Sequence, residues 1–208
     1  AGPRARGGRT PAKAVATDGP KILQIGFNLC GTRTMAKFFE KNRVPGVHWE
    51  KGAVALRMQE NLAAGRKIFA GYEDVPFISD TMNPMGMPIF EGHFLFRKMY
   101  EDYPDAYFIL NTRPVDKWIA SRLGRPAFVR RFQEHYNLGS AAEVEVLWRR
   151  QWDEHHADVL NFFADKTDRL LVLDIEKQGG EELAAFLSPS YDLDPRHWGH
   201  VGKSAAKA

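Results

Sequence analysis

Short, almost wholly apolar runs alternate with helical patterns along this chain, and that alternation limits its possible folds more than any other feature. Residues 21–26, 68–72, 106–112 and 169–175 have strand character. Helical spacing occupies residues 32–43, 53–64, 89–103, 114–123, 126–136, 140–165 and 181–187. Strands without a polar face must be covered on both sides, which is the condition of a parallel sheet between two helix layers. The expected fold is therefore α/β, a parallel β-sheet flanked by helices. Such sheets bind ligands at the carboxyl ends of their strands. The chemistry should follow residues 25, 72, 112 and 174.

Length and charge narrow the class further. A chain of 208 residues, 44% of them hydrophobic, can bury a full core without staples. Its single cysteine, Cys30, excludes a disulfide framework. No apolar run reaches the ~20 residues of a membrane span. The net charge of +3 comes from one place: Arg4, Arg6, Arg9 and Lys13 stand against Asp18 in the first twenty residues. Residues 1–20 read as a disordered basic tail and 21–208 as a single domain of zero net charge. A neutral body argues against a nucleic-acid partner. The sequence shows no apolar leader, so the cytoplasm is expected, or the Golgi lumen if an anchor was removed.

The turn after the first strand carries the strongest motif. Gly26-Phe27-Asn28-Leu29-Cys30-Gly31-Thr32-Arg33-Thr34 has a glycine at each end and opens a helix on threonines. Backbone N–H groups at a helix N-terminus face an anion, and the helix dipole favours it. Thr32 and Thr34 add hydroxyls, and Arg33 adds a forked cation. The spacing is neither a Walker A loop nor a dinucleotide fingerprint. A second candidate follows the strand that ends at Thr112. Arg113 stands at its carboxyl end, and Ser121 lies about 12 Å further along a helix that starts near Pro114.

Together these pieces resemble the PAPS-dependent sulfotransferases. Residues 25–35 are similar to their 5′-phosphosulfate loop, and Phe108 to Ser121 to their 3′-phosphate motif. Tyr103-Pro104-Asp105-Ala106, Phe108-Ile109-Leu110 and Lys117-Trp118 extend the likeness, which covers most of residues 21–123. Gly-Thr-Arg in the loop is similar to the carbohydrate, heparan-type branch. The resemblance implies a P-loop NTPase-like sulfotransferase fold, PAPS as donor (PAP as product) and no metal. It implies transfer of a sulfuryl group to a hydroxyl or amine. Asn28, Cys30, Gly31, Thr32, Arg33 and Thr34 would then hold the 5′-phosphosulfate, and Arg113 and Ser121 the 3′-phosphate. Trp198 to Ser204, with Lys203, resembles the late basic loop that closes over the nucleotide.

One position departs from the pattern: Leu29 stands where the family usually carries a cation that neutralises charge on the bridging oxygen. On the acceptor side, a proton must leave the attacking hydroxyl. His48 is the expected base, with Arg33 beside the reacting group and Glu50 as fallback. Glu73, Asp74 and Asp80 are expected to bind the acceptor, a small molecule or carbohydrate, or to supply the base. Met82 to Pro88 could form a lid. Two other readings remain open: a catalytically weakened PAPS- or PAP-binding relative, suggested by Leu29, and a small-molecule kinase.

Overall fold

The computed structural model describes residues 19–199. Residues 1–18 of the basic tail expected over 1–20, and Lys203 with the late loop from residue 200 onward, lie outside the described residues. Seven strands and seven helices follow in order: β1 Ile22–Gln24, α1 Thr32–Lys41, β2 Gly46–His48, α2 Ala53–Ala63, β3 Phe77–Ser79, β4 Met82–Asn83, β5 Phe90–Glu91, α3 Phe96–Asp102, β6 Tyr107–Thr112, α4 Val115–Leu123, α5 Pro126–Tyr136, α6 Ala141–Phe162, β7 Leu170–Asp174 and α7 Gly180–Leu187. The main sheet has the order β2-β3-β1-β6-β7, and every pairing in it is parallel. β4 and β5 form a separate antiparallel hairpin.

Side-chain alternation explains why the strands need two helix layers. Leu23, Ile25, Ile78, Phe108 and Leu110 join one core, with Val54 and Met58 of α2, Phe96 and Met99 of α3 and Val159 of α6. Ile22, Phe77, Tyr107, Ile109 and Leu173 face the other way, onto Met35, Phe38 and Phe39 of α1 and Leu183 and Leu187 of α7. A third core lies past the strand ends, where Phe27 and Cys30 meet Trp118, Phe132, Trp148 and Trp152 of α4, α5 and α6.

Two expected elements differ. Ile68 to Tyr72 is a turn, not a strand. Ile68 and Phe69 are buried, but side chains satisfy their backbone: Ile68 N–H donates to Asp102 at 2.7 Å, and Asn61 Nδ2 donates to the carbonyls of Ile68 and Ala70. The strand pairing falls to Phe77–Ser79 instead. The helix expected from residue 89 starts at Phe96, because Phe90–Glu91 pairs with Met82–Asn83. Gly92 follows so tightly that a Cβ there would meet the Thr81 carbonyl at 2.8 Å.

The chain leaves β1 toward β2 on one side and leaves β6 toward β7 on the other. Where strand order reverses in this way, the connecting loops diverge and open a crevice. Here that crevice lies between the loops after β1 and β6.

Candidate functional site

The loop from Gly26 to Gly31 is held from behind. Asn111 Nδ2 donates to the carbonyls of Phe27 at 3.1 Å and Cys30 at 2.7 Å. Trp118 Nε1 donates to the Asn28 carbonyl at 3.1 Å, and Arg113 Nη1 to that of Leu29 at 3.2 Å. Four successive carbonyls are thus drawn toward β6 and α4. In a trans peptide the following N–H points the opposite way. The N–H groups of Asn28, Leu29, Cys30 and Gly31 therefore face away from those donors, and among the described residues no backbone carbonyl accepts from them. The N-terminus of α1, which has no side-chain cap, faces the same way and brings the positive end of its dipole.

Close packing fixes this shape. A Cβ on Gly26 would overlap the carbonyl and side-chain oxygens of Asn111. Gly31 has φ +75°, which only glycine takes freely, and a Cβ there would meet Ile175 Cγ2 at 2.9 Å. Gln24 is buried and braces the arrangement, donating to Asn111 Oδ1 and accepting from Asp80 N–H at 2.8 Å. Left-handed residues other than glycine gather at the same edge: Leu29 after β1, Trp49, Glu50 and Lys51 after β2, and Asp80 after β3. Such backbone costs about 1 kcal/mol or more per residue and persists where surrounding structure imposes it.

Three cations approach the loop, each differently. Arg113, besides holding Leu29, donates through Nη2 to Glu176 Oε1 at 3.1 Å. Lys117, one turn along α4, donates to Glu176 Oε2 at 2.5 Å. Ser121, a further turn on, donates to the Lys117 carbonyl at 2.9 Å. Lys117 and Ser121 thus lie one turn apart on α4, and Arg113, just before the helix, meets Lys117 at Glu176. Arg122 is fully buried beneath the loop. Its Nη2 donates to Asn28 Oδ1 at 2.9 Å and to Glu91 Oε1 at 3.2 Å. Five rings surround its guanidinium, with Trp118 at 4.3 Å and Trp148 at 5.1 Å.

Several expected residues fall elsewhere than the sequence suggests. Arg33 is exposed and lines a cavity of about 500 Å³ between α1 and β2, together with His48. The His48 Nδ1 lies 3.1 Å from Ser79 Oγ, and burial together with the Arg33 charge holds its pKa below the ordinary histidine value. Thr32 and Thr34 are buried in the first turn of α1. Cys30 is buried too, and its thiol is pushed up to about 12 by desolvation. Its side chain belongs to the core, so only its backbone faces the loop.

The acidic candidates separate. Asp80 sits at the carboxyl end of β3, and burial raises its carboxyl to about 6, against the pull of Arg122 and Arg125. Glu73 and Asp74 lie at the opposite end of the sheet. Lys21, just before β1, donates to the carbonyls of Tyr72 at 2.6 Å and Glu73 at 3.1 Å. The placement of those two acids beside the loop depended on a strand ending at residue 72, and that segment is a turn. His155 and His156 have structural partners: His155 Nε2–H donates to the Ile25 carbonyl at 2.7 Å, and His156 bridges Trp152 and Thr112.

The sequence reading missed Asn111, Lys117, Arg122 and Glu176 as parts of this site. Arg122 had a signal, since it continues the apolar stripe of α4 one turn after Trp118. Glu176 had none, because its partners are 59 and 63 residues away.

No helix among the described residues is long and apolar enough to cross a membrane. No family model and no curated protein matches the chain. Among solved structures, the chain is similar to the crystal structure of a sulfotransferase from Alicyclobacillus acidocaldarius, at 14% identity and a TM-score of 0.46, over 88% of this chain and 86% of that one.

Proposed function

We propose that this protein is a sulfotransferase that takes its sulfuryl group from PAPS and passes it to a hydroxyl or amine acceptor. The observation that carries this reading is the loop of residues 26–31, whose four carbonyls are turned inward by Asn111, Trp118 and Arg113. Such a loop presents N–H donors and a helix N-terminus to an anion. The residues present fit a phosphosulfate there: the backbone of Asn28 to Arg33 supplies donors, Thr32 and Thr34 lie in the first turn, and Gly31 leaves no side chain in the way. Arg113, just before α4, and Lys117 and Ser121 on it would hold a 3′-phosphate. PAPS supplies the sulfuryl group when bound.

The remaining work belongs to the acceptor side. His48 stands at the carboxyl end of β2 beside Arg33, and its lowered pKa leaves it neutral at pH 7. With Nδ1 engaged by Ser79, its Nε2 is the atom that would take the acceptor proton. Arg33 faces the same cavity and would stabilise charge on the group in transit. Calorimetric titration with adenosine 3′,5′-bisphosphate, with ADP and ATP as controls, tests the donor side. Micromolar binding of the bisphosphate alone is expected. Binding of ATP in its place would turn the reading toward a kinase, and binding of none would overturn it.

A further inference from the structure

The cavity between α1 and β2 combines an apolar floor with a charged lining. Its floor is apolar: Ala36, Val44, Pro45 and the ring of Phe77. Gly46 lies directly on the buried Phe77 ring, since a Cβ there would meet Phe77 Cδ1 at 2.8 Å. Its charged lining is Arg33, Lys37, Glu40 and Arg43, with His48 at one end. Lys37 and Glu40 pair with each other at 2.6 Å. Arg33 and Arg43 are thus the charges left over, and among the described residues no carboxylate lies within ion-pair distance of either.

Arg43 is also conformationally costly. It follows the end of α1 with φ +59°, a position that glycine ordinarily fills. An arginine there keeps a cation at the mouth of the cavity at the expense of backbone strain. Arg43 and His48 are five residues apart along an extended segment, so at most about 17 Å separates them.

We infer that this cavity is the acceptor site, and that it takes a hydroxy-acid with an apolar body: the body against Pro45 and Gly46, hydroxyl at His48, carboxylate at Arg43. The inference rests on the sulfotransferase reading for the role of acceptor, but not for binding. It also replaces acidic recognition by Glu73 and Asp74, which lie at the other end of the sheet, with cationic recognition at Arg43.

The test compares 3-(4-hydroxyphenyl)propionate with 4-propylphenol, a neutral analogue of similar shape. Each is titrated into the whole chain by calorimetry, at low and high salt. The carboxylate should bind about ten-fold tighter, and salt should erode the difference. Arg43→Gly should abolish the preference while keeping or raising the thermal midpoint, because glycine relieves the positive φ. Equal binding of the two compounds, no binding of either, or an unchanged preference in Arg43→Gly would overturn the assignment. A second assay follows transfer from labelled PAPS to the propionate. Tight, Arg43-dependent binding without transfer would leave the anion-selective cavity standing and count against the sulfotransferase reading.

Discussion

Arg113 and Glu176 join the carboxyl ends of β6 and β7: the Arg113 Nη2 donates to Glu176 Oε1 at 3.1 Å, while Lys117 holds the other carboxylate oxygen. These two cations lower the Glu176 carboxyl from its ordinary value, Lys117 contributing most. The carboxylate therefore occupies the two groups that a 3′-phosphate would use. Replacing it with a neutral amide should free both. Glu176→Gln should tighten adenosine 3′,5′-bisphosphate three- to ten-fold and leave adenosine 5′-monophosphate unchanged. Parallel calorimetry checks this, and an equal gain for both ligands would contradict it.

Leu29 has φ +62° and packs its side chain against the core formed by Phe27, Trp118 and Trp148. No cation reaches outward from that position. Leu29→Lys should raise kcat in a labelled-PAPS assay by ten-fold or more, since one aligned donor commonly contributes 10²–10³. The bisphosphate Kd should change little, because the loop backbone and Arg113 are untouched. A lysine that leaves kcat unchanged would show that another group already meets the developing charge.

Asp80 should destabilise the fold at neutral pH. Burial raises its carboxyl from 3.8 to about 6, so the folded state holds its proton more tightly than the unfolded chain does. Stability therefore falls as pH rises from about 4 to about 6, and the full cost is present above 6. Asp80→Asn should stabilise by roughly 1–3 kcal/mol at pH 7 and far less at pH 4. Asparagine also tolerates the φ of +51° better. Denaturant midpoints at the two pH values measure the difference.

His155 has the opposite sign. Burial lowers it from 6.5 to about 4 while it donates to the Ile25 carbonyl. Between those values the unfolded chain binds more protons, so stability should fall on acidification through that window, by up to about 3 kcal/mol. His93 and His156 are shifted down by burial as well and add to the trend. Urea midpoints from pH 7 to 4 should show the loss, and His155→Gln should flatten it.

Arg122 and Glu91 form a pair with side chains 0% and 3% exposed, and several of their polar atoms lack a partner. Removing one member strands the other's charge in the core. Arg122→Met should cost about 3–5 kcal/mol, and Arg122→Met with Glu91→Leu should recover most of it. The double variant also lacks the bond to Asn28 Oδ1. It should therefore fold but bind the bisphosphate more weakly, which separates the positioning of the loop from the stability of the core.

How far the sequence alone reaches is clearest along particular segments. α5 runs from Pro126 to Tyr136 as its spacing predicts, and α6 begins one residue after Ser140, whose side chain accepts from Glu143 N–H. Both follow local rules: proline in a first turn, serine as a cap, apolar residues on one face. Ile68 to Tyr72 follows none, because two buried apolar residues suit a strand or a packed turn equally well. What decides is whether backbone partners come from another strand or from Asn61 and Asp102.

By itself, the sequence determined the α/β class with its parallel sheet, three of that sheet's strands (β1, β6 and β7) and the loop with its two glycines, since local periodicity and turn chemistry encode them. Tertiary structure alone decided which side chains meet there. Asn111 and Trp118 reach the loop across 81 to 90 residues, Glu176 reaches Arg113 across 63, and Arg33 turns away to the cavity it shares with His48. These juxtapositions follow from strand order and helix direction. Residues distant along the chain become neighbours only when the sheet is assembled, and no short-range pattern records it.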